Sequence, residues 1–161
     1  MKYLMMERAQ QAELRSRLGT MPDFIAATFG GLSPGEALRP GSGGGFSPVE
    51  QCWHLADLER EGFGLRLRRL RAEERPRLPD FDGATIARER NYRGKSLAEG
   101  IAAFRRARAD NLALIEAIGP NEWDRAGVQE GVGTVTLCDI PSMMSEHDAA
   151  HRAEIEAWSR T

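Results

Sequence analysis

The chain has 161 residues, of which 41% are hydrophobic and 29% charged, a balance typical of one globular domain with its own core. Its 22 basic and 24 acidic side chains nearly cancel, so the composition gives no electrostatic signature of a nucleic-acid or membrane-surface protein. The sequence contains no apolar run of transmembrane or signal-peptide length, and two cysteines are too few for a disulfide scaffold. We therefore expect a single cytoplasmic domain over residues 1–161.

The pattern along the chain is helical, without a β-hairpin signal. A first helical region covers residues 4–29, and we expect an interruption at residues 19–22, where Thr20 would cap a second helix and Pro22 would suit its first turn. The glycine-rich stretch 41–45 lacks the lysine of a phosphate-binding loop. It is interpreted as a plain connector.

The strongest helix start lies at Ser47. Serine is a good N-cap, Pro48 suits the first turn, and Glu50 completes a capping box three residues after the serine. The helix is predicted to run to about Arg75. His54 lies in its second turn among apolar neighbours, which places its imidazole towards the interior.

A long connection of residues 76–95 follows, rich in proline and glycine. Loops of this length in small domains are often functional. Tyr92 and Arg93 are therefore candidate contacts for a bound small molecule, although exposure to solvent is the commoner environment for such residues. Ser96 then begins a helix that is predicted to extend to about Ile118.

The last predicted helix, capped by Thr136, carries the most informative pattern in the chain. His147 and His151 are four residues apart and project from the same helical face. That face is otherwise apolar, and a buried polar group without a partner costs about 1–3 kcal/mol. The two imidazoles therefore need partners inside the protein. The stripe consists of Ile140, Met144, His147, His151, Ile155 and Trp158.

The remaining histidine, His54, comes from a facing helix. Three imidazoles on facing helices of a four-helix bundle would form a metal site with an open position. Such nitrogen ligands favour a divalent transition metal, zinc or nickel first, over magnesium or calcium. The alternative is that the histidines are ordinary core residues, since pairs at this spacing also arise by chance. Asp57 and Glu50, one turn from His54 on either side, are candidate catalytic proton acceptors, orienting groups or further ligands.

Several short motifs in this order resemble the DinB-like (damage-inducible) superfamily over residues 20 to 161. The resemblance implies an all-α, up-down-down-up four-helix bundle, frequently a homodimer, with a metal held by His54, His147 and His151. Relatives include S-transferases that use bacillithiol or mycothiol and a mycothiol-dependent isomerase. The motifs are Ser47-Pro48-Val49-Glu50, His54-Leu55-Ala56-Asp57, Ser96-Leu97, Thr136-Leu137 and His147-Asp148-Ala149-Ala150-His151.

The leading hypothesis is a metal-dependent enzyme that acts on a small molecule, either a thiol-dependent S-transferase with a low-molecular-weight thiol as cosubstrate or a hydrolase. A metalloprotease is disfavoured, because Asp148 stands where the H-E-x-x-H motif requires glutamate. The alternative is a stress-response or binding module with a structural metal. A nucleic-acid role is disfavoured, and we interpret the arginine-rich stretch 66–71 as a solvated helix face.

Overall fold

Within residues 2–161, which the computed structural model describes, four long helical rods form a bundle, and a small sheet lies where the second and third rods end. The helices are α1 (Arg8–Phe29), α2 (Pro34–Ala37), α3 (Pro48–Asp57), α4 (Gly64–Ala72), α5 (Gly83–Glu89), α6 (Leu97–Glu116) and α7 (Ile140–Ser159). The strands are β1 (Arg77–Leu78), β2 (Ala126–Gln129) and β3 (Gly133–Thr136). No described helix combines the length and the apolar character that a bilayer crossing requires.

The contacts between helices give their directions. The rod formed by α3 and α4 runs parallel to α6, because Trp53 near its start bonds the carbonyl of Ser96 and Arg71 near its end bonds that of Ala117. Helix α7 is antiparallel to this rod, as the Gln51–Glu154 hydrogen bond indicates for the start of one and the end of the other.

Helix α1 is antiparallel to α6. Arg108 donates to the carbonyl of Leu18, and Arg105, earlier in α6, pairs with Asp23, which is later in α1. The bundle therefore has the up-down-down-up topology that was predicted, with a long crossover between the two parallel rods.

The predicted interruption of the first helix is wrong, because α1 is continuous from Arg8 to Phe29. Pro22 lies inside the helix and has no N–H to donate to the carbonyl of Leu18. Arg108 Nη1 supplies the missing donor at 2.8 Å. Packing of the buried face outweighs the local break signal, and this face comprises Leu14, Leu18, Met21, Pro22, Ile25 and Phe29.

The capping box at Ser47 is confirmed, since its N–H and Oγ both donate to Glu50 Oε1, at 3.2 and 2.8 Å. The helix that begins there continues through a π-helical segment, Leu58–Phe63, into α4. In this segment the N–H of Gly64 bonds the carbonyl of Glu59. Single π turns inside helices are frequent at functional sites. A π turn holds one residue more than an α turn, so the residues of α4 that follow it are rotated about the helix axis. A different set of α4 side chains therefore faces the interior.

The expectation of a chain without a β-hairpin is wrong for residues 126–136. Strands β2 and β3 pair antiparallel with Gly127 opposite Val135, and β1 adds in parallel to β2. The turn depends on Gly131 and Gly133, whose φ angles of +75° and +104° disfavour residues with a Cβ. The signal that was overlooked is this Gly-Val-Gly turn between two short runs with valine and threonine.

Two apolar clusters occupy the bundle, and His147 and His151 lie between them along α7. Met144, one turn before His147, belongs to the first cluster, and Ile155, one turn after His151, belongs to the second. Both cysteines are free and buried, with Cys138 in the first cluster and Cys52 in the second. The three histidines are therefore polar groups placed in the middle of an apolar interior.

Candidate metal centre

The structure brings His54, His147 and His151 together. One nitrogen from each ring lies within 4.8 Å of the other two. His147 and His151 are neighbours on α7, with their Nε2 atoms 3.0 Å apart. The His54 ring crosses from α3, and its centroid is 5.6 Å from that of His147 and 4.9 Å from that of His151.

Burial keeps these imidazoles neutral. It lowers the pKa of His54 to about 4 and that of His147 to about 3, with the charge of His151 as the next cause in both cases. The pKa of His151 is also lowered by burial, although the nearby Glu154 and Asp148 carboxylates oppose the shift. A neutral imidazole offers a lone pair, which is the form that binds a metal ion. The three rings therefore fit a transition-metal ion at neutral pH.

His151 is oriented by Gln51, a residue that the sequence analysis missed. His151 Nδ1 lies 2.7 Å from Gln51 Oε1 and 3.2 Å from Glu154 Oε2, and Gln51 Nε2 donates to the same Glu154 oxygen at 2.8 Å. An amide oxygen accepts only, so we assign the proton of His151 to Nδ1. Its Nε2 lone pair then faces the other histidines. The signal in the sequence was the position of Gln51, one helical turn before His54 on the same helix face.

His54 is held by apolar groups and by the absence of a side chain at Gly83. Phe46 and Phe81 lie with ring centroids 5.2 and 6.1 Å from His54. A Cβ added at Gly83 would lie 2.5 Å from Cε1 and 2.7 Å from Nδ1 of His54. His54 Nδ1 is buried and has no hydrogen-bond partner in the part of the chain that the structure describes. Since α5 begins at Gly83, part of the long connection 76–95 does cover the histidine cluster.

The two candidate catalytic carboxylates are engaged elsewhere. Asp57 accepts from Tyr92 Oη at 2.5 Å, from Arg90 at 2.7 Å and from Arg60 at 3.2 Å. Among residues 2–161, Asp57 makes no hydrogen bond to a histidine ring. Its suggested part in proton transfer is untested, and the contacts observed are those of a residue that ties the long loop to α3.

Glu50 likewise makes no hydrogen bond to a histidine in the described chain. It completes the capping box of α3 and pairs with Arg93 Nη1 at 3.3 Å. Arg93 is exposed and also bonds the carbonyl of Leu38. The two residues link the loop 92–95 to the start of α3, and a catalytic role for Glu50 stays a prediction.

The suggested small-molecule contacts are also explained by packing. Tyr92 is 1% exposed, contrary to the exposure expected of it, and burial together with the Asp57 hydrogen bond raises the pKa of its hydroxyl. Neither Tyr92 nor Arg93 lines a cavity at the histidines. Binding of a cofactor by these two residues is therefore untested and receives no support from their contacts.

A second buried polar cluster, the Arg108 network, lies directly beside the histidines. The five N–H groups of Arg108 meet five acceptors: both oxygens of Glu59, both oxygens of Asp148 and the carbonyl of Leu18. Burial acts to lower the pKa of Arg108, but the pairing with Glu59 and Asp148 outweighs it and raises the value. The network joins all four rods of the bundle, and Asp148 fixes the turn of α7 that carries His147.

Two cavities border the histidine cluster within the described chain. One, of about 590 Å³, is lined by His151, Gln51 and the glycine-rich stretch 41–45. The other, of about 330 Å³, is lined by His54, His147 and Arg66. The stretch 41–45, interpreted from sequence as a plain connector, therefore forms a wall of a cavity. Arg66, interpreted as part of a solvated face, is buried at 4% exposure because of the π turn that precedes it.

Comparison with known proteins agrees with the fold. A solved structure of YfiT from Bacillus subtilis, described as a probable metal-dependent hydrolase with an unusual four-helix bundle topology, superposes with a TM-score of 0.87 at 17% sequence identity. The match covers 96% of this chain and 89% of that chain and shows a shared fold. A search of curated proteins finds no match. The family model of the DinB superfamily matches residues 9–155. The chain therefore belongs to the DinB superfamily.

Proposed function

We propose that the protein is a metal-dependent enzyme in which His54, His147 and His151 hold one divalent transition-metal ion, zinc or nickel. The observation that carries this proposal is the donor set: three neutral imidazoles within 4.8 Å, joined by no carboxylate or thiol of the described chain. Structural zinc sites fill four positions with protein ligands, whereas catalytic sites supply three and leave one open. With three histidine ligands, the cluster has the composition of a catalytic site.

A divalent metal with an open position lowers the pKa of a water or thiol that binds there and so supplies a nucleophile at neutral pH. Residues around the histidines orient the ligands and shield the open metal position from water. Gln51 holds His151 in the tautomer that directs Nε2 inwards. Phe46, Phe81 and Phe63 pack against the histidines and limit the access of water from their sides.

Thiol-dependent S-transfer is the form of this activity that we favour. A transferase brings two organic molecules together, and two cavities border the histidines, one on the His151 side and one on the His54 and His147 side. Asp57, Glu50 and Asp148 are each engaged by arginine, tyrosine or serine, which leaves the exposed Glu146 and Glu154, each on the wall of one cavity, as the carboxylates that could act as the general base of a hydrolase. A thiol whose pKa is lowered by a bound metal would release its proton to solvent, so this step would not depend on those carboxylates.

Metal content tests the first part of the proposal. The purified protein is expected to bind one zinc or nickel ion per chain by elemental analysis, and His151→Ala to lose most of it. Glu156→Gln is the matched control, because Glu156 is an exposed carboxylate further along the same helix and is not among the three ligands. Equal stoichiometry in His151→Ala and the unmodified protein would exclude the site.

Thiol consumption tests the second part. Metal-loaded protein is mixed with bacillithiol, mycothiol or another low-molecular-weight thiol and an electrophile such as monochlorobimane, and loss of free thiol is followed. Catalysed loss supports S-transfer. Hydrolysis of ester or amide substrates without thiol consumption would instead support a hydrolase, the activity attributed to YfiT.

A structural metal in a binding module is the competing proposal. It requires a fourth ligand from the chain, and Glu154, beside His151, is the nearest carboxylate. Cobalt-substituted protein separates the two possibilities by its visible spectrum. A spectrum that changes on addition of azide or thiol indicates an open position, and one that does not change indicates a closed, structural site.

A further inference from the structure

Arg66 on α4 has an environment unlike that of the other arginines around it. Its side chain is 4% exposed and lines the 330 Å³ cavity together with His54 and His147. The other walls are mainly apolar and are formed by Leu58, Phe63, Phe81 and Met143. Arg66 therefore borders the same small space as two of the three histidines.

No group of residues 2–161 neutralises this guanidinium at close range. Its Nε is buried without a hydrogen-bond partner, and no carboxylate forms an ion pair with it, although its Cζ lies 5.5 Å from the centre of the Phe63 ring. Arg108, which is more deeply buried at 1% exposure, has five acceptors. A buried charge without a partner costs several kcal/mol. The chain supplies an acceptor for every N–H of the Arg108 guanidinium but none for the buried Nε of Arg66 within residues 2–161.

The nearby acids do not remove this cost. Glu146 lines the same cavity but is exposed and forms no ion pair with Arg66 in the described chain. Asp80 is exposed and acts only at longer range, where its charge partly opposes the lowering of the Arg66 pKa by burial. An acceptor that completes the hydrogen bonding of Arg66 has to come from outside the chain.

We propose that Arg66 binds the carboxylate of a small organic acid, whose other end lies at the histidine cluster. A guanidinium presents paired N–H groups that match a carboxylate, and the apolar walls suit a short hydrocarbon segment between the two ends. The cavity volume of about 330 Å³ suits a small molecule. This inference rests on the proposed function, since it names the chemical class of the molecule brought to that site. The acid is either the thiol itself or the second substrate.

Binding measurements separate these cases. By isothermal titration, zinc-loaded protein is expected to bind 3-mercaptopropionate at least about tenfold more tightly than 3-mercapto-1-propanol, which lacks the carboxylate. Arg66→Met is expected to abolish the preference without weakening the neutral thiol. Arg68→Met, at an exposed arginine two residues away on the same helix, should keep the preference. Arg66→Lys, which keeps the charge but not the paired donors, should keep part of it.

A second probe pair, butyrate and butanamide, is titrated into metal-free protein, so that the test of Arg66 depends on neither metal nor thiol. A preference for butyrate that Arg66→Met removes supports the carboxylate site even if no thiol binds, and it then assigns the acid to the second substrate. Failure to bind zinc would contradict the proposed function alone.

Stability provides a readout that distinguishes a binding role from a structural one. Because Arg66→Met replaces an unpaired buried charge with an apolar side chain, its thermal midpoint is expected to be equal to or above that of the unmodified protein. Absence of a carboxylate preference in both probe pairs would overturn the inference, as would a preference that persists in Arg66→Met. A strongly destabilised Arg66→Met that keeps the preference would assign Arg66 to the core.

Discussion

The histidine cluster and the Arg108 network are two buried polar regions of one bundle, and they are adjacent, since His147 belongs to one and Asp148 to the other. In the Arg108 network every N–H of the guanidinium meets an acceptor supplied by the chain. In the histidine cluster, His54 Nδ1 has no partner among residues 2–161, and the Nε2 atoms of His147 and His151 face each other. The first region is complete without a ligand, and the second is not.

The difference separates architecture from function. A fully satisfied buried network fixes the positions of the helices that supply it and needs nothing further. The lone pairs of neutral imidazoles that are not used in hydrogen bonds can bind a metal ion, and this binding stabilises the folded protein. The network thus positions the helices that carry the site without belonging to it.

The largest effect is expected from Arg108→Met. The change leaves Glu59 and Asp148 buried without their cation and the carbonyl of Leu18 without a donor, so the metal-free protein should lose about 3–5 kcal/mol of unfolding free energy. Urea denaturation followed by circular dichroism measures the loss. Arg105→Met, which removes only the exposed ion pair with Asp23, should cost less than about 1 kcal/mol. Equal losses in the two variants would show that the Arg108 network stabilises the fold no more than an exposed ion pair does.

The histidine cluster should make the metal-free protein sensitive to acid. His54 and His147 have folded-state pKa values of about 4 and about 3, below the unfolded value of 6.5, so the unfolded chain binds more protons between these limits. Stability is therefore retained above pH 6.5 and declines as the pH falls below it. From pH 7 to pH 5 each of the two should account for about 2 kcal/mol of unfolding free energy.

Urea denaturation of metal-free protein at several pH values checks this expectation. His147→Leu is the matched variant, because it should lower the pH slope by about one proton, or about 1.4 kcal/mol per pH unit near pH 5. An unchanged slope would mean that His147 is as easily protonated in the folded protein as in the unfolded one.

Gly83→Ala is expected to affect the histidine cluster and leave the Arg108 network intact. The new Cβ would overlap the His54 ring at 2.5 Å from Cε1, so the imidazole has to move. We expect zinc affinity to fall about 10- to 100-fold, as for other residues that orient a metal ligand, with about 1–3 kcal/mol of overpacking cost. Competition with a fluorescent chelator measures the affinity. Gly35→Ala is the control, because its Cβ would meet nothing within 4 Å.

The smallest effect is expected from Tyr92→Phe. Loss of the hydroxyl removes one of three donors to Asp57, while Arg90 and Arg60 remain, so stability should fall by about 1 kcal/mol. Zinc stoichiometry and the carboxylate preference should be unchanged. If the variant folds normally but loses ligand binding, Tyr92 is a ligand-binding residue, as its position in the long loop first indicated.

Much of the fold could be predicted because its signals are local. The capping boxes at Ser47 and Thr136 and the apolar stripe of α7 depend on residues within a few turns of one another. Helix α3 begins at the Ser47 signal, and Thr136 caps a 3-10 turn, Leu137–Asp139, that leads into α7. The errors have a local origin too. Pro22 predicts a helix break when only its sequence neighbours are considered. The sequence signal of a short hairpin with two glycines is weak compared with the long helical patterns on either side of it.

The sequence by itself determined the bundle, its helix starts and the three histidines, because spacing along a helix fixes which side chains share a face. Only the tertiary structure decided what each face meets. It placed Gln51 on His151, Gly83 against His54 and Arg108 between two acids, and it turned Arg66 inwards through the π segment. These contacts join residues from different helices or depend on a change of helical register. No local pattern encodes them, since they arise from the way complete helices pack together.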